Sequence, residues 1–327
     1  MKVLVYDVAA QEGGAATILE KYYHALTENT ENEYYFVLSL LKFPEKDNAR
    51  MINLPWVKKS WFHRLFCDYI YMPRLVKKLG IDRVFSLQNM GIPGCKVPQT
   101  VYVHNAIPFT EHRFSLRTER FLWVYQNVIG RMTYRSLKKA DSIIVQTQWM
   151  KDAVAARCGI SPDIIQVERV DSSVMGQGTY KATEPVTFFY PAAPVAFKNH
   201  RTIVDACRIL QKKGVENYHV WLTLSEQDNP LTEELARCVR EENLPVSFIG
   251  KQSHPQMAER YCRSVLLFPS YLETVGLPLL EAQQFDAPII AADCAYARET
   301  VGAYENVSYF SPLNSQQLAD HMERWIG

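Results

Sequence analysis

Short segments rich in Val, Ile, Phe and Tyr alternate with helical patterns along this 327-residue chain, and this alternation constrains the fold most. Strands that alternate with helices build βαβ units, whose parallel strands are covered by helices on both faces. The pattern therefore predicts an α/β fold with doubly wound parallel sheets. The predicted strands are Val3–Val8, Tyr35–Leu41, Val84–Leu87, Val101–His104, Ser142–Gln146, Ile165–Val170, Val186–Pro191, His219–Leu224, Val246–Ile249, Ser264–Phe268, Pro288–Ala292 and Val307–Phe310.

A polar segment, Met175–Pro185, divides these strands into two sets. Its sequence, MGQGTYKATEP, has no apolar periodicity and is typical of a linker. We therefore predict two Rossmann-like domains that face a cleft, at 1–175 and 183–312, and a C-terminal helix at 313–327 that can pack back on the N-terminal domain. Because open parallel sheets bind ligands at the carboxyl ends of their strands, we expect the functional residues in the loops after the strands.

The composition narrows the class of protein. Hydrophobic residues make up 47% of the chain and charged residues 22%, which excludes a disordered protein. No apolar run approaches the roughly 18 residues of a membrane-spanning helix, and the start, MKVLVYDVAA, is interpreted as a strand and not as a signal peptide. The seven cysteines form no C-x-x-C motif, and the closest pair is Cys238 and Cys262. This spacing excludes a zinc ribbon or a disulfide framework and favours the cytoplasm.

The net charge of +1 hides an asymmetry between the two halves. Residues 1–180 carry 23 basic and 17 acidic side chains, a charge of +6, whereas the remainder carries 13 and 18, a charge of −5. A basic half favours an anionic partner such as a membrane surface, a phosphate or a nucleic acid. A chance distribution of solvated charge explains the same numbers, so the charge alone leaves the partner open.

Two short motifs follow predicted strands. Gln11–Thr17 (QEGGAAT) comes after the first strand, where Gly13 and Gly14 let the backbone approach a ligand at a helix N-terminus, although a tight turn without a ligand fits equally well. Lys198 follows the first strand of the second set, beside Asn199, which is predicted to cap the next helix. Lys198 is suited to neutralise a phosphate, or it is a solvated lysine beside a capped helix.

The most informative segment is SYLETVGLPLLEA, which runs from Ser270 to Ala282. It follows a buried strand and leads into a helix whose first turn tolerates Pro278. The backbone amides of Thr274–Gly276 would lie at the helix N-terminus, which attracts anions. Glu273 and Glu281 flank this position, so two carboxylates are placed to accept hydroxyl groups from opposite ends of one ligand. A capping acid and a surface glutamate would leave Thr-Val-Gly-Leu-Pro unexplained.

Together these segments resemble the retaining glycosyltransferases of family 4, which have the GT-B fold. The resemblance rests on Glu273 and Glu281, separated by seven residues, and on Lys198 about 75 residues upstream. The segments FFYPAAPVAFKNH, SVLLFPS, APIIAAD and ARETVG follow in the family's order. The first half matches more loosely, through the Gly13–Gly14 loop, Val101–His104 and ADSIIVQTQWMKDAV.

The resemblance implies a nucleoside-diphosphate sugar as donor, transferred with retention of configuration to an acceptor hydroxyl. Family members need no metal, and the chain lacks a D-x-D motif in an apolar setting. We therefore expect no metal and no cofactor other than the donor. A UDP-sugar is favoured over a GDP-sugar as that donor. The implied residues are Glu281 for the ribose, Glu273 and His104 at the transferred sugar as catalytic residues, and Lys198, Thr274, Val275, Gly276, Gly13 and Gly14 at the diphosphate.

Several positions depart from the family pattern. Ala196 and Phe197 stand where family members usually place an arginine near Lys198, Asn105 replaces an acid after His104, and Leu224-Ser225-Glu226 replaces a glycine-rich turn. These departures keep a second hypothesis open, namely a non-catalytic nucleotide-sugar-binding or accessory subunit with the same fold. A nicotinamide dehydrogenase is disfavoured because its glycine fingerprint and ribose-binding acid are absent.

Two segments of the first half mix aromatic and basic residues. Trp56–Lys78 suits docking on an anionic lipid surface, or it is an ordinary packed helix pair with solvated lysines. Phe109–Lys139 contains Arg113 and Arg117, which are candidates for holding a pyrophosphate-linked lipid or glycan acceptor. Because these aromatics lie in helical patterns and not on an exposed sheet, nucleic acid is not expected as a partner. The setting implied is bacterial surface-polysaccharide assembly at the inner face of the cytoplasmic membrane.

Overall fold

The computed structural model of the protein describes residues 1–11, 14–170 and 176–327. The chain divides into two compact units, Met1–Arg169 and Val170–Gly327. This division lies six residues before the predicted end of the first domain at residue 175. Among the described residues, no helix is both long and apolar enough to cross a lipid bilayer.

The first unit is built on one sheet of seven strands, and every pairing in it is parallel. The strands are β1 (Lys2–Asp7), β2 (Glu33–Leu38), β3 (Ala49–Asn53), β4 (Arg83–Ser86), β5 (Gln99–Tyr102), β6 (Ser142–Val145) and β7 (Ile165–Val167). Their order is β3-β2-β1-β4-β5-β6-β7, so the direction of winding reverses between β1 and β4. The apolar sequence of β1 is buried, as expected for a central strand covered on both faces.

Helices cover both faces of this sheet. They are α1 (Gly14–Glu28), α2 (Trp61–Phe66), α3 (Met72–Leu79), α4 (Arg120–Val124), α5 (Gly130–Leu137) and α6 (Gln148–Cys158), with 3₁₀ turns at Pro55–Lys59 and Pro162–Ile164. Two π-helical turns connect neighbouring helices into longer ones. Cys67–Tyr71 joins α2 to α3, and Tyr125–Ile129 joins α4 to α5. Leu19 and Tyr23 of α1 pack in the core of one face, and Met72 and Val76 of α3 pack in the core of the other.

The second unit repeats the same architecture with six parallel strands. The strands are β8 (Val186–Tyr190), β9 (Tyr218–Leu222), β10 (Val246–Phe248), β11 (Val265–Phe268), β12 (Ile289–Ala292) and β13 (Val307–Phe310). Their order, β10-β9-β8-β11-β12-β13, is that of the Rossmann fold. The loops after β8 and β11 therefore flank the point at which the winding reverses, where such sheets bind ligands.

The helices of the second unit are α7 (His200–Lys212), α8 (Pro230–Glu241), α9 (His254–Tyr261), α10 (Leu277–Gln284), α11 (Ala295–Val301) and α12 (Ser315–Ile326), with a 3₁₀ turn at Ala196–Lys198. The C-terminal helix α12 packs against α7 of its own unit. Lys213 at the end of α7 reaches Asp320 at 2.9 Å and Glu323 at 2.6 Å, and Leu318 and Met322 are buried.

The predicted fold class, two doubly wound parallel sheets with flanking helices, is confirmed. Each predicted strand is present, although most end one to three residues earlier than the apolar pattern does. One strand was missed: β3, with the sequence ARMIN, lies at the edge of the first sheet. Its alternation is too weak to be recognised, since an edge strand is buried on fewer sides.

Candidate functional site

The loop after β8 is shaped by a tight turn that ends at Asn199. The Tyr190 hydroxyl donates to the backbone carbonyl of Lys198 at 2.8 Å, and Asn199 has a left-handed backbone with φ of 60°. Asn199 stands at the N-cap position of α7, but its side chain makes no capping bond to the helix backbone, which corrects the prediction from sequence. Its amide nitrogen instead donates to the carbonyls of Pro269, at 3.1 Å, and Pro312, at 2.6 Å. This one side chain therefore ties together three loops of the unit.

The loop after β11 is joined to the same turn. The backbone N–H of Tyr271 donates to the carbonyl of Phe197 at 3.0 Å, and the Ser270 hydroxyl donates to that same carbonyl at 3.2 Å. These bonds bring two predicted site residues into contact, because Lys198 Nζ donates to Glu273 Oε1 in a very short ion pair. The two side chains are 19% and 14% exposed, so the pair is shielded from water but can still be reached.

The N-terminus of α10 requires a glycine. Gly276 has φ of +83°, and a Cβ there would lie 3.2 Å from atoms of Leu279, Phe268 and Tyr296. The carbonyl of Val275 accepts a bond from the Thr300 hydroxyl at 2.6 Å, which orients this turn. Pro278 lies in the first turn of α10, as predicted. The predicted segment Thr274–Gly276 therefore stands at the start of a helix, whose N–H groups and dipole attract anions.

Glu281 is the fifth residue of α10, about 6 Å along the helix axis from its N-terminus. Its carboxylate accepts a hydrogen bond of 2.6 Å from the hydroxyl of the buried Tyr261, whose ring stacks on Phe285. Burial raises the pKa of Glu281, and the bond from Tyr261 partly offsets this rise. Glu281 is thus held in a fixed position by a partner that the sequence analysis did not single out.

Buried aromatic and imidazole groups surround the Lys198–Glu273 pair. Burial, with the charge of Glu273 second, holds the pKa values of Tyr190 and Tyr296 well above their ordinary value, so both remain neutral donors. Burial lowers the pKa of His200 to about 3, and the charge of Lys198 adds to this effect. Lys198 and Glu273 are therefore the charged groups at the centre of this cluster.

The departures noted in the sequence have visible consequences. Lys198 Nζ lies 5.8 Å from the centre of the Phe197 ring, within the range of a cation–π contact. Arg201 forms an ion pair of 2.7 Å with Glu234, so its guanidinium is engaged away from Lys198. At the place where family members usually have an arginine, this chain offers the carbonyl and the ring of Phe197.

In the first unit, His104 lies two residues beyond the end of β5. Its backbone N–H donates to the side-chain oxygen of Asn89 at 2.7 Å, and its ring nitrogen Nε2 lies 3.4 Å from the Asn89 amide nitrogen. Burial lowers the pKa of His104 to about 4, so the ring is neutral at pH 7. Asn89 has φ of 66° and was missed by the sequence analysis; an Asn after a strand in a left-handed turn was the available signal.

The remaining predicted residues lie in the first unit. Gly13 is outside the described residues, and Gly14 begins α1 with open space around it. Asp7, at the end of β1, was not a predicted site residue; it accepts backbone N–H bonds from Ala9 and Ala10, and burial raises its pKa to about 6. Arg113 and Arg117 are exposed on the long segment between β5 and α4.

Metal ligands do not cluster in the part of the chain that the structure describes: no three His, Cys, Asp or Glu side chains there are placed to hold an ion. In the described part of the second unit, a lysine and a carboxylate pair beside the N-terminus of α10, and a second carboxylate, Glu281, lies about one turn along that helix. This set suits a ligand with a diphosphate between two hydroxyl-bearing groups.

Both units match models of glycosyltransferase families. Residues 13–167 match the model of Glycosyltransferase Family 4, and residues 177–327 match that of Glycosyl transferases group 1. The serotype-specific mannosyltransferase WbdA of Escherichia coli is 31% identical over 132 residues, which make up 39% of this chain and 16% of WbdA. The chain therefore matches less than a fifth of the length of that relative.

Two solved structures share the fold over the full chain. WaaG, a glycosyltransferase involved in lipopolysaccharide biosynthesis, superposes with a TM-score of 0.70 at 16% identity, covering 100% of this chain and 90% of WaaG. HepE of Anabaena, in complex with UDP-glucose, superposes with a TM-score of 0.67 at 16% identity and the same coverage. With a family 4 segment followed by a group 1 segment on two Rossmann-like units, the chain belongs to the glycosyltransferases of the GT-B fold.

Proposed function

We propose that this glycosyltransferase moves a sugar from a nucleoside diphosphate to an acceptor hydroxyl, with retention of configuration and without a metal ion. The observation that carries the proposal is the Lys198–Glu273 ion pair beside the N-terminus of α10. A lysine and a helix N-terminus complement a diphosphate, and a carboxylate accepts the hydroxyls of a sugar. When the donor enters, Lys198 exchanges Glu273 for a phosphate oxygen, and Glu273 becomes available to the sugar.

The same residues define the chemical step. The bond between the anomeric carbon and the phosphate oxygen breaks, and the acceptor oxygen attacks that carbon from the same face. The leaving phosphate takes the acceptor proton, so no protein base is required. Lys198 and the amides of Thr274–Gly276 stabilise the negative charge that develops on the leaving group. We further propose that His104, whose ring is neutral at pH 7, forms a hydrogen bond with the transferred sugar.

We propose a UDP-sugar as the donor, with Glu281 binding the ribose and the Gly13–Gly14 loop facing the diphosphate. HepE, which shares the fold, is described in complex with UDP-glucose, whereas WbdA is named a mannosyltransferase. Because these two names point to different sugars, the assay below includes both UDP- and GDP-sugars.

The transfer assay tests the catalytic role of Glu273. The intact protein is incubated with UDP-glucose, UDP-galactose or GDP-mannose, and release of the nucleoside diphosphate is measured with and without a membrane glycolipid extract as acceptor. We expect turnover with a UDP-sugar, and a loss of about 100-fold or more in Glu273→Gln. The matched control, Glu305→Gln, changes an exposed carboxylate after α11 and keeps full activity. Full activity in Glu273→Gln would contradict the proposal.

The alternative, an accessory subunit that binds a nucleotide-sugar without turnover, is favoured by Phe197 in place of a second cation. It predicts that UDP binds while no sugar is released from any donor, whether or not acceptor is present. Binding without turnover in the assay above would therefore select this alternative.

We further propose that the acceptor is a lipid-linked or surface glycan, held by Arg113 and Arg117, and that the protein acts at the inner face of the cytoplasmic membrane. An unusual stripe of large apolar side chains faces solvent on the helix that begins at Trp61. The exposed members are Trp61, Phe62, Leu65, Phe66, Tyr69 and Ile70. Lysines at 58, 59, 77 and 78 stand at its two ends, which suits an anionic bilayer.

Vesicle sedimentation tests this contact. We expect the intact protein to sediment with vesicles of phosphatidylglycerol and phosphatidylcholine, but not with phosphatidylcholine alone, and binding to weaken as salt is raised. Trp61→Ser/Phe62→Ser should abolish sedimentation, whereas Leu313→Ser, which removes an exposed apolar side chain of the second unit, should not. Equal binding by both variants would contradict the assigned face.

A further inference from the structure

A cavity of about 360 Å³ lies in the first unit, between the π-helical turn Cys67–Tyr71, the loop after β4 and helix α5. Its volume is within the range of about 300–1,000 Å³ that is typical of small-molecule sites. Every residue that lines it belongs to the first unit, and none of them is part of the Lys198–Glu273 cluster. The lining residues used below are Asp68, Tyr69, Gln88, Arg135 and Lys139.

One wall of the cavity is rigid backbone. The N–H of Ile92 donates to the side-chain oxygen of Gln99 at 2.7 Å, and the Gln99 amide donates back to the carbonyl of Ile92 at 3.1 Å. The N–H of Gly91 donates to the Ser136 hydroxyl at 2.8 Å. A Cβ at Gly91 would lie 2.7 Å from the Gln99 oxygen, so a side chain there would displace Gln99 from its bonds to Ile92. The cavity is therefore formed before any ligand binds.

The buried part of the lining presents hydrogen-bond acceptors. Gln88 is only 5% exposed, and its side-chain oxygen has no hydrogen-bond partner among the described residues. Asp68, 8% exposed, accepts bonds from the Tyr6 hydroxyl and from Arg64 Nε, the latter at 2.8 Å. Each carboxylate oxygen of Asp68 keeps a second lone pair, so this side chain can accept from a ligand. The Gln88 oxygen is enclosed by protein, so it accepts from a ligand only when the Gln88 side chain turns toward the cavity. Because an unsatisfied buried acceptor is costly, this arrangement calls for a ligand with hydroxyl groups.

The rest of the lining adds positive charge and an aromatic ring. Arg135 and Lys139 are both exposed, and neither forms an ion pair within the described part of the chain. Arg135 lies in the last turn of α5 and Lys139 lies two residues after its end, and both line the cavity. Tyr69, a member of the exposed apolar stripe, also lines the cavity.

We propose that this cavity binds an anionic saccharide, with its hydroxyls on Gln88 and Asp68 and its phosphate or carboxylate on Arg135 and Lys139. The volume admits a hexose phosphate or a hexuronic acid and excludes a macromolecule. That the cavity recognises an acidic sugar unit of the acceptor glycan rests on the proposed function. That it binds an anionic saccharide does not.

Calorimetric titration of the intact protein with glucose 1-phosphate tests the site, with saturating UDP present so that the donor site is occupied. Glucuronate, glucose and inorganic phosphate are titrated in parallel. We expect one of the two anionic sugars to bind more tightly than either neutral glucose or phosphate, and the better of the two identifies the anion. The proposal would be overturned if neither anionic sugar bound, or if inorganic phosphate bound as tightly as the anionic sugars.

Variants assign the binding to this cavity. Arg135→Gln/Lys139→Gln should weaken it about tenfold or more, whereas Arg131→Gln/Lys138→Gln, which alters two exposed cations of the same region outside the cavity, should leave it unchanged. Gln88→Leu has a second readout: affinity should fall while the melting temperature is maintained or rises, because a buried acceptor without a partner is removed. Unchanged affinity in Gln88→Leu would contradict the site. UDP affinity, measured separately, reports on the donor site and is expected to stay unchanged in all these variants.

Discussion

At the scale of single residues, the account depends on how Lys198 and Glu273 are held. Each is mostly shielded from water and satisfied by the other, so neither carries an uncompensated charge before a ligand binds. A phosphate that enters must be a better partner for Lys198 than Glu273 is. The pair therefore acts as a preformed electrostatic site that the donor rearranges but does not have to create.

His104 gives a prediction on pH. Its pKa is lowered to about 4 by burial, below that of a histidine in the unfolded chain, so between about pH 4 and 6.5 the unfolded state binds more protons than the native state. The contribution of neutral His104 is thus complete above pH 6.5 and decreases as the pH falls. We expect about 1 kcal/mol to be lost from the free energy of unfolding between pH 7 and 5.5 through this residue.

Denaturant unfolding at pH 7 and at pH 5.5 measures this loss. In His104→Gln, the free energy of unfolding should fall by about 1 kcal/mol less between these two pH values. A nuclear magnetic resonance titration should give a midpoint for the His104 ring near 4. A midpoint near 6.5 would contradict the buried, neutral ring that the proposed sugar contact requires.

At the scale of elements, three loops of the second unit are tied by the side chain of Asn199. Asn199→Gly keeps the left-handed backbone but removes the bonds to Pro269 and Pro312, so we expect a loss of about 1–2 kcal/mol in stability and weaker binding of UDP. Asn199→Asp should be worse, because a carboxylate would face two carbonyl oxygens. Thermal unfolding and UDP calorimetry measure both effects. Greater stability in the Asp variant than in the Gly variant would contradict the assigned role.

The start of α10 provides a second prediction at this scale. Gly276→Ala combines a left-handed backbone with close contacts to three buried side chains, so we expect a loss of roughly 3 kcal/mol in stability and weaker UDP binding. Gly214→Ala is the matched control, since Gly214 has φ of +73° but no heavy atom within 4 Å of its Cβ position. It should cost about 1 kcal/mol and leave UDP binding intact. Equal losses in both variants would show that the close packing at Gly276 has no effect.

The alternation of strands and helices was sufficient to predict both sheets, because parallel strands buried on both faces are apolar throughout. The edge strand β3 lacks that signal. The spacing of Lys198, Glu273 and Glu281 pointed to one site, but the sequence did not reveal the bonds of Asn199 or the contacts of Glu281 with Tyr261 and of His104 with Asn89. Each of these joins residues at least 15 positions apart, and such contacts follow from packing and not from local pattern.

At the scale of the whole molecule, the charge is divided between the two units. Met1–Arg169 carries 23 basic and 16 acidic residues, a charge of +7, and Val170–Gly327 carries 13 and 19, a charge of −6. The exposed apolar stripe and the cavity with a basic mouth both lie in the positive unit, and the donor cluster lies in the negative one. This division agrees with the proposal that the first unit meets an anionic membrane and acceptor while the second holds the nucleotide.

Retention of configuration is a prediction for the complete enzyme. If the acceptor attacks from the face that the phosphate leaves, an α-linked donor yields an α-linked product. Nuclear magnetic resonance of the anomeric proton, recorded early in the reaction, gives the configuration directly. A β-linked first product would contradict same-face attack and would require a protein base.

The most direct test of the central claim is calorimetric titration of the intact protein with UDP and with GDP, for the wild type, Glu281→Gln and the exposed control Glu305→Gln. The account predicts that UDP binds the wild type and the control alike, more tightly than GDP, and at least about tenfold more weakly to Glu281→Gln. If neither nucleotide binds the wild type, or if Glu281→Gln binds UDP as the wild type does, the assigned donor site is wrong.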